Sequence, residues 1–224
     1  CGTATSAVAK ASPAIAGQVG KRLLVGNKFR DAVTLAGGYS PTGSITFAIY
    51  APGTSGCAKP SFVNTVAVNG NGTYRSDPFV AKRAGNYRFV ATYSGDASNR
   101  TATEPCDGAN QLARVQKRTP KLRPLARLVG GQQISIRARL SAASSPTGTI
   151  AFRLYGPNDK RCSSRPAFAG SLRVKANGAF PLAEYIATKP GTYRLALSYS
   201  GDPRNRSSKV SCAASQAIVI SRTG

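Results

Sequence analysis

The sequence predicts an all-β protein built from two tandem two-sheet sandwiches, and three observations predict it. The chain matches itself when slid by 105 or 106 residues. Its apolar residues fall in short runs that alternate with polar ones. Gly (23) and Pro (14) punctuate those runs in a chain of 224 residues. A duplicated stretch of about 100 residues is long enough to bury a core of its own, so the period marks two copies of one domain.

The match runs along both copies. Arg22-Leu23-Leu24 falls on Arg127-Leu128-Val129, and Pro41-Thr42-Gly43 on Pro146-Thr147-Gly148. Tyr50-Ala51-Pro52 falls on Tyr155-Gly156-Pro157, and Cys57 on Cys162, still at an offset of 105. One inserted residue then moves the offset to 106, so that Phe62 matches Phe168, Asn71-Gly72 matches Asn177-Gly178, and Cys106 matches Cys212. The stretch NYRFVATYSGDASN at 86–99 returns as TYRLALSYSGDPRN at 192–205.

Each strand then follows from a period of two, which puts one face inward and one in water. In the first copy Phe29, Val33 and Leu35 alternate with Arg30, Ala32 and Thr34. Ile45, Phe47 and Ile49 come next, then Tyr87, Phe89, Ala91 and Tyr93. The second copy repeats them as Ile134, Ile136, Ala138 and Leu140, then Ile150, Phe152 and Leu154, then Tyr193, Leu195, Leu197 and Tyr199. Turn residues separate the runs at Asn69-Gly70-Asn71-Gly72, Ala84-Gly85 and Ser94-Gly95-Asp96. Closing strands are predicted at 112–115 and 217–220. About seven strands in about 105 residues is the economy of a two-sheet sandwich.

The shared pattern is Pro-Thr-Gly-x-Ile-x-Phe-x-x-Tyr-x-Pro, then Cys, Phe, Asn-Gly, Gly-x-Tyr-Arg, Tyr-Ser-Gly-Asp, Asn and Cys in order. It resembles the bacterial immunoglobulin-like repeats of large secreted and surface proteins, especially actinobacterial ones. The resemblance implies tandem immunoglobulin-like β-sandwiches serving as stalk, spacer or adhesive module, and it brings neither active site nor cofactor. The expected organisation is a terminal strand of a preceding domain, or a strand-exchange segment, at 1–12, a first domain at 13–118 and a second at 119–224.

Five cysteines are present. The simplest pairing is Cys57–Cys106 and Cys162–Cys212, each within one copy; reduced buried thiols are the alternative. Neither pair has the CxxC spacing of a zinc site, and disulfides belong to an oxidising compartment. The expected location is therefore extracellular or at a cell surface. Cys1 stands before Ala7-Val8-Ala9 much as Cys106 and Cys212 stand before their closing strands. That placement admits three origins: a start inside a longer array, a cleaved chain whose first strand completes a neighbouring subunit, or a lipid-carrying terminal Cys1.

Chemistry has few places to reside. The chain has no His, which removes the commonest general base and metal ligand. Without it no Ser-His-Asp or Cys-His set can form, and Asp77, Glu104, Asp107, Asp159 and Glu184 do not recur as an aligned pair. No catalytic residue, cofactor, metal or small-molecule substrate is expected, and no run of apolar residues spans a membrane. Asp96/Asn99 and Asp202/Asn205 admit a calcium reading, but one carboxylate per loop favours turn capping. Asp31 falls on the inward face, where its partner is Ile136. It is expected to meet water or an Arg at the sheet end; an acid-promoted isopeptide crosslink using Lys28 or Lys10 is the less favoured reading.

What remains is charge. Lys and Arg number 31 against 8 Asp and Glu, a net +23 that attracts polyanions. A solvated basic surface is the plain explanation. The alternative is a polyanion-binding set comprising Arg114, Lys117, Arg118, Lys121, Arg123 and Arg127 at the junction, with Arg153 and Arg194 facing outward on neighbouring strands. The preferred function is a non-catalytic structural or adhesive segment: stalk, spacer or filament subunit. Its expected partners are copies of itself, neighbouring repeats or anionic surface polymers.

Overall fold

The computed structural model describes residues 8–17, 23–53, 56–106, 108–212 and 217–221. The chain is all-β and divides into two compact units between Gln116 and Lys117. That division lies two residues before the expected one, because Lys117 and Arg118 bond to the second unit. The Lys117 Nζ donates to the Asp202 carbonyl at 2.8 Å, and Arg118 bridges in parallel to Asn205. The first unit is entered in the same way, with Lys10 Nζ on the Asp96 carbonyl at 2.8 Å and Ala11 bridged to Asn99. Of the expected segment 1–12, Cys1 to Ala7 lie outside the described residues, and Val8 to Lys10 are in no strand.

Unit 1 contains β1 (Ala14–Gly17), β2 (Leu23–Leu24), β3 (Lys28–Phe29), β4 (Ala32–Ala36), β5 (Ser44–Tyr50) and β6 (Phe62–Ala67). After them come β7 (Gly72–Arg75), β8 (Phe79–Val80), β9 (Gly85–Tyr93), β10 (Ala102–Thr103), a one-turn 3-10 helix (Ala109–Gln111) and β11 (Leu112–Gln116). One sheet has the order β1-β4-β7 and the other β2-β11-β9-β5-β6, with β10 also on β9. This is an immunoglobulin-like arrangement, in which β1, β4 and β7 face β5, β9 and β11. The inward residues are the ones alternation selects: Val33, Leu35, Ile45, Phe47, Ile49, Tyr87, Phe89, Ala91 and Tyr93 are all buried.

Unit 2 contains β12 (Lys121–Pro124), β13 (Arg127–Gly130), β14 (Gln133–Ser141), β15 (Thr149–Tyr155) and β16 (Phe168–Arg173). It is completed by β17 (Gly178–Ile186), β18 (Gly191–Tyr199), β19 (Ser208–Val210) and β20 (Ala217–Ile220). One sheet joins β12 and β13 to β14 and then to β17, and the other runs β16-β15-β18, with β19 and β20 both on β18.

The copies differ in two ways that bear on function. The first concerns the matched segments β2 and β13. In unit 1, β2 lies parallel to the closing strand β11, with Leu23 opposite Val115 and Leu24 opposite Gln116. In unit 2, β13 instead pairs antiparallel with β14. Val25, fully buried, anchors the chain after β2 in the core. Its counterpart is Gly130, which has no side chain to bury, and β13 is exposed along its length.

The second difference divides the core. Unit 2 has one continuous apolar cluster, whereas unit 1 has two. Between the two lie the buried polar residues Asp31, Ser76 and Glu104. Their counterparts in unit 2 are Ile136, Leu182 and Val210. The polar layer also breaks strands. The Asp31 N–H donates to Ser76 Oγ at 2.9 Å and the Ser76 N–H to the Asp31 carbonyl at 3.0 Å. The single strands β14 and β17 thus correspond to the broken pairs β3/β4 and β7/β8.

Candidate functional site

The two disulfides are present as paired within each copy, Cys57–Cys106 with Cα atoms 6.0 Å apart and Cys162–Cys212 at 5.8 Å. Cys57 lies in the loop between β5 and β6, and Cys106 between β10 and β11. The bridge therefore joins two loops at one end of a sheet rather than crossing the core. Such bridges persist in an oxidising environment. Asp107 and Cys1 lie outside the described residues.

The Ser-Gly-Asp-x-x-Asn loops are closed by their own hydrogen bonds. Asp96 Oδ2 accepts from the Thr42 N–H at 2.7 Å and the Tyr93 hydroxyl at 2.9 Å. Its Oδ1 accepts from the N–H groups of Ser98 and Asn99, both at 2.8 Å. Asn99 in turn accepts from the Tyr39 N–H at 2.8 Å and donates to the Tyr39 carbonyl at 3.0 Å. The second copy repeats this through Asp202, Tyr199, Thr147, Arg204, Asn205 and Ser144. Donors therefore occupy both carboxylate oxygens, which is the work of a turn cap.

The Thr42 N–H, with Asn99, Ser98 and Tyr93 behind it, holds the Asp96 carboxyl far below its usual range. Burial works upward on Asp202, but the Tyr199 hydroxyl, the Thr147 N–H and Asn205 outweigh it and hold that carboxyl at about 2. Tyr93 is pushed up to about 12 by burial and then by its acceptor Asp96. Asn205, only 1 % exposed, is the keystone of its loop. Asn205→Ala leaves the Ser144 N–H and carbonyl without partners and should cost about 2–3 kcal/mol. Asn99→Ala should cost as much in unit 1. Urea unfolding of both variants checks the pair.

Asp31 does not meet water or an Arg as expected; it is 2 % exposed. Its Oδ1 accepts from the Ala32 N–H at 2.9 Å, and its Oδ2 is buried with no hydrogen-bond partner. Nearby Glu104, 3 % exposed, is well satisfied. It accepts from the Gly17 N–H at 2.6 Å, the Ala91 N–H at 3.0 Å and Gln111 Nε2 at 3.1 Å. Burial first, and then the Glu104 charge, push Asp31 up to about 6, against the pull of the Ala32 N–H. Of the two lysines considered for a crosslink, Lys10 sits on the Asp96 loop and Lys28 is exposed on β3.

Within unit 2 the basic set is divided between two sheets. Arg114 is on β11 of unit 1. Lys117 and Arg118 hold the Asp202 loop. Lys121, Arg123 and Arg127 face outward on the first sheet of unit 2, as partners of Ser141, Arg139 and Ser135. Arg153 and Arg194 face outward on the opposite sheet, where β15 and β18 place them diagonally, Arg153 beside Ala196 and Arg194 beside Tyr155. Sequence reasoning missed Arg137 and Arg139. Alternation along 134–140 already turns both outward, but their position beside β12 depends on the register of two strands far apart in sequence.

No protein-family model matches the chain, and no curated protein matches it. Among solved structures, CBD12 from CALX1.2 is 10 % identical with a TM-score of 0.38, over 86 % of this chain and 83 % of that one. A DUF3823 family protein from Parabacteroides merdae is also 10 % identical, with a TM-score of 0.31, over 96 % of this chain and 100 % of that one.

Proposed function

We propose that the chain is a non-catalytic, extracellular structural segment: a spacer of immunoglobulin-like repeats that carries load between the parts it joins. The observation that supports this most is parallel pairing between early and late segments of each unit. Ala11 lies parallel to Asn99 and Arg118 to Asn205, and in unit 1 β2 lies parallel to β11. Force along the chain then loads these bonds in shear, all together, rather than peeling them one at a time. The disulfides add a second restraint, since the segment between paired cysteines cannot extend while its bridge holds.

Single-molecule pulling of the oxidised chain tests this. Two discrete unfolding events are expected, with unit 1 resisting the higher force because only its closing strand is clamped by β2. Reduction should lengthen the unit 1 event by the 49-residue separation of Cys57 and Cys106, about 160–170 Å of extended chain. A chain that stretches without discrete events overturns the reading.

A further inference from the structure

We propose that the outer face of the first sheet of unit 2 is a binding site for an extended acidic polysaccharide, with Lys121, Arg123, Arg137 and Arg139 as its contacts. This site is independent of the spacer reading. Two strands build it. On β12 the buried Leu122 turns Lys121 and Arg123 outward; on β14 the buried Ile136, Ala138 and Leu140 turn Arg137 and Arg139 outward. Arg123 stands directly opposite Arg139, which puts their Cβ atoms about 4.5–5.5 Å apart. Lys121 precedes Arg123 and Arg137 precedes Arg139 by one outward position, about 6.7 Å, and because the strands are antiparallel the two lie on opposite sides of the Arg123–Arg139 pair. Four cations thus form a diagonal track across two strands.

Three observations point to a ligand. Like charges directly opposite across a strand pair destabilise a sheet, yet among the described residues no acid pairs with any of the four. Glu184 lies on the same face at its far end, in the row of Ser135, where Gln133 Nε2 donates to it.

The second observation is that the cluster is particular to this copy. Unit 1 carries Ala14, Ala16, Ala32 and Thr34 at the four matching positions, in the same pairing of β1 with β4. The four matched positions are thus uncharged in unit 1, whose same face carries a cation elsewhere, Arg75 opposite Ala32.

The third is the choice of residue. Three of the four are Arg, whose planar fork binds carboxylate or sulfate groups bidentately. Base stacking needs exposed aromatics, but the unit 2 rings Phe152, Phe168, Tyr185 and Tyr193 pack on one another at the core. That disfavours a nucleic acid.

The test is titration of the full chain with a heparin oligosaccharide, and separately with single-stranded DNA of equal charge. One variant carries the unit 1 residues: Lys121→Ala, Arg123→Ala, Arg137→Ala and Arg139→Thr. A charge-matched control carries Lys160→Ala, Arg161→Ala, Arg165→Ala and Lys189→Ala. The face variant should lose about tenfold or more in heparin affinity, with a shallower salt dependence, and the control less than about threefold. The reverse transplant, Ala14→Lys, Ala16→Arg, Ala32→Arg and Thr34→Arg, should add a second heparin site of similar affinity. This gain keeps the test decisive if the loss variant unfolds. Equal losses in face and control variants, or no second site in the transplant, would show that binding follows net charge and overturn the proposal. DNA binding as tight as heparin binding, with the same dependence on the face, would overturn the polysaccharide assignment.

Discussion

Removing either disulfide is expected to lower the stability of its unit by about 4 kcal/mol. The cysteines are 49 and 50 residues apart, so each bridge closes a loop covering nearly half a unit, and the cost follows from the freedom that loop regains on unfolding. Little folded-state packing is at stake, because both bridges join loops. Near Cys106 the contacts are peripheral, such as Arg88 Nη1 on its carbonyl at 3.1 Å. Near Cys162 the turn is held separately by Asp159. The Ser164 hydroxyl and N–H, with the N–H groups of Ser163 and Arg161, keep that carboxyl at about 2. Cys57→Ala/Cys106→Ala should therefore keep the native sheet spectrum at low denaturant while its urea midpoint falls. Cys162→Ala/Cys212→Ala should do the same to the other unit. Unchanged midpoints would mean that the bridges do not restrain the unfolded chain.

Asp31→Asn is expected to stabilise unit 1 at pH 7 by about 2–3 kcal/mol and to change little at pH 4. In the folded state the Asp31 carboxyl keeps its proton up to about 6, against 3.8 ordinarily. Between those values the folded chain binds more protons than the unfolded one. Stability therefore rises as pH drops from 7 towards 4, then gains nothing more from this group once both states are protonated. At pH 7 the ionised carboxylate is buried beside Glu104 with Oδ2 unpartnered, and that penalty is what Asn removes. Below pH 4 the sign reverses for Asp202, whose depressed value of about 2 supplies stability present above 3.8 and lost as pH falls through 2. Amide exchange at Ala91 and Gly17, whose N–H groups meet Glu104, reads unit 1 alone. If protection there is the same at pH 4.5 and 7, or if Asn leaves the profile unchanged, Asp31 is not the group responsible.

The polar layer that makes this prediction possible was only half legible beforehand. Alternation puts Asp31 on the inward face, because facing is a property of neighbours along one strand. That Glu104 lies near it, 73 positions away in sequence, and that Ser76 joins them required the sheets to be assembled. The same holds for the basic residues. Arg123 and Arg139 are each legibly outward, but whether they meet depends on the register of β12 against β14. Lys121 and Arg153 read alike along the chain and end on opposite sheets.

The duplication, the all-β character and the division of each strand into an inner and an outer face were legible in the sequence, and the repeat made within-copy pairing of the cysteines the simplest choice. These follow from local alternation, turn chemistry and the internal offset. Which sheet each short strand joins was settled by packing between distant segments. Leu23-Leu24 and Leu128-Val129 are equivalent apolar runs, yet the first lies along β11 and the second along β14, because Val25 has a core to fill and Gly130 does not. Burial and register are settled between distant segments, where packing outweighs the preferences of any short stretch.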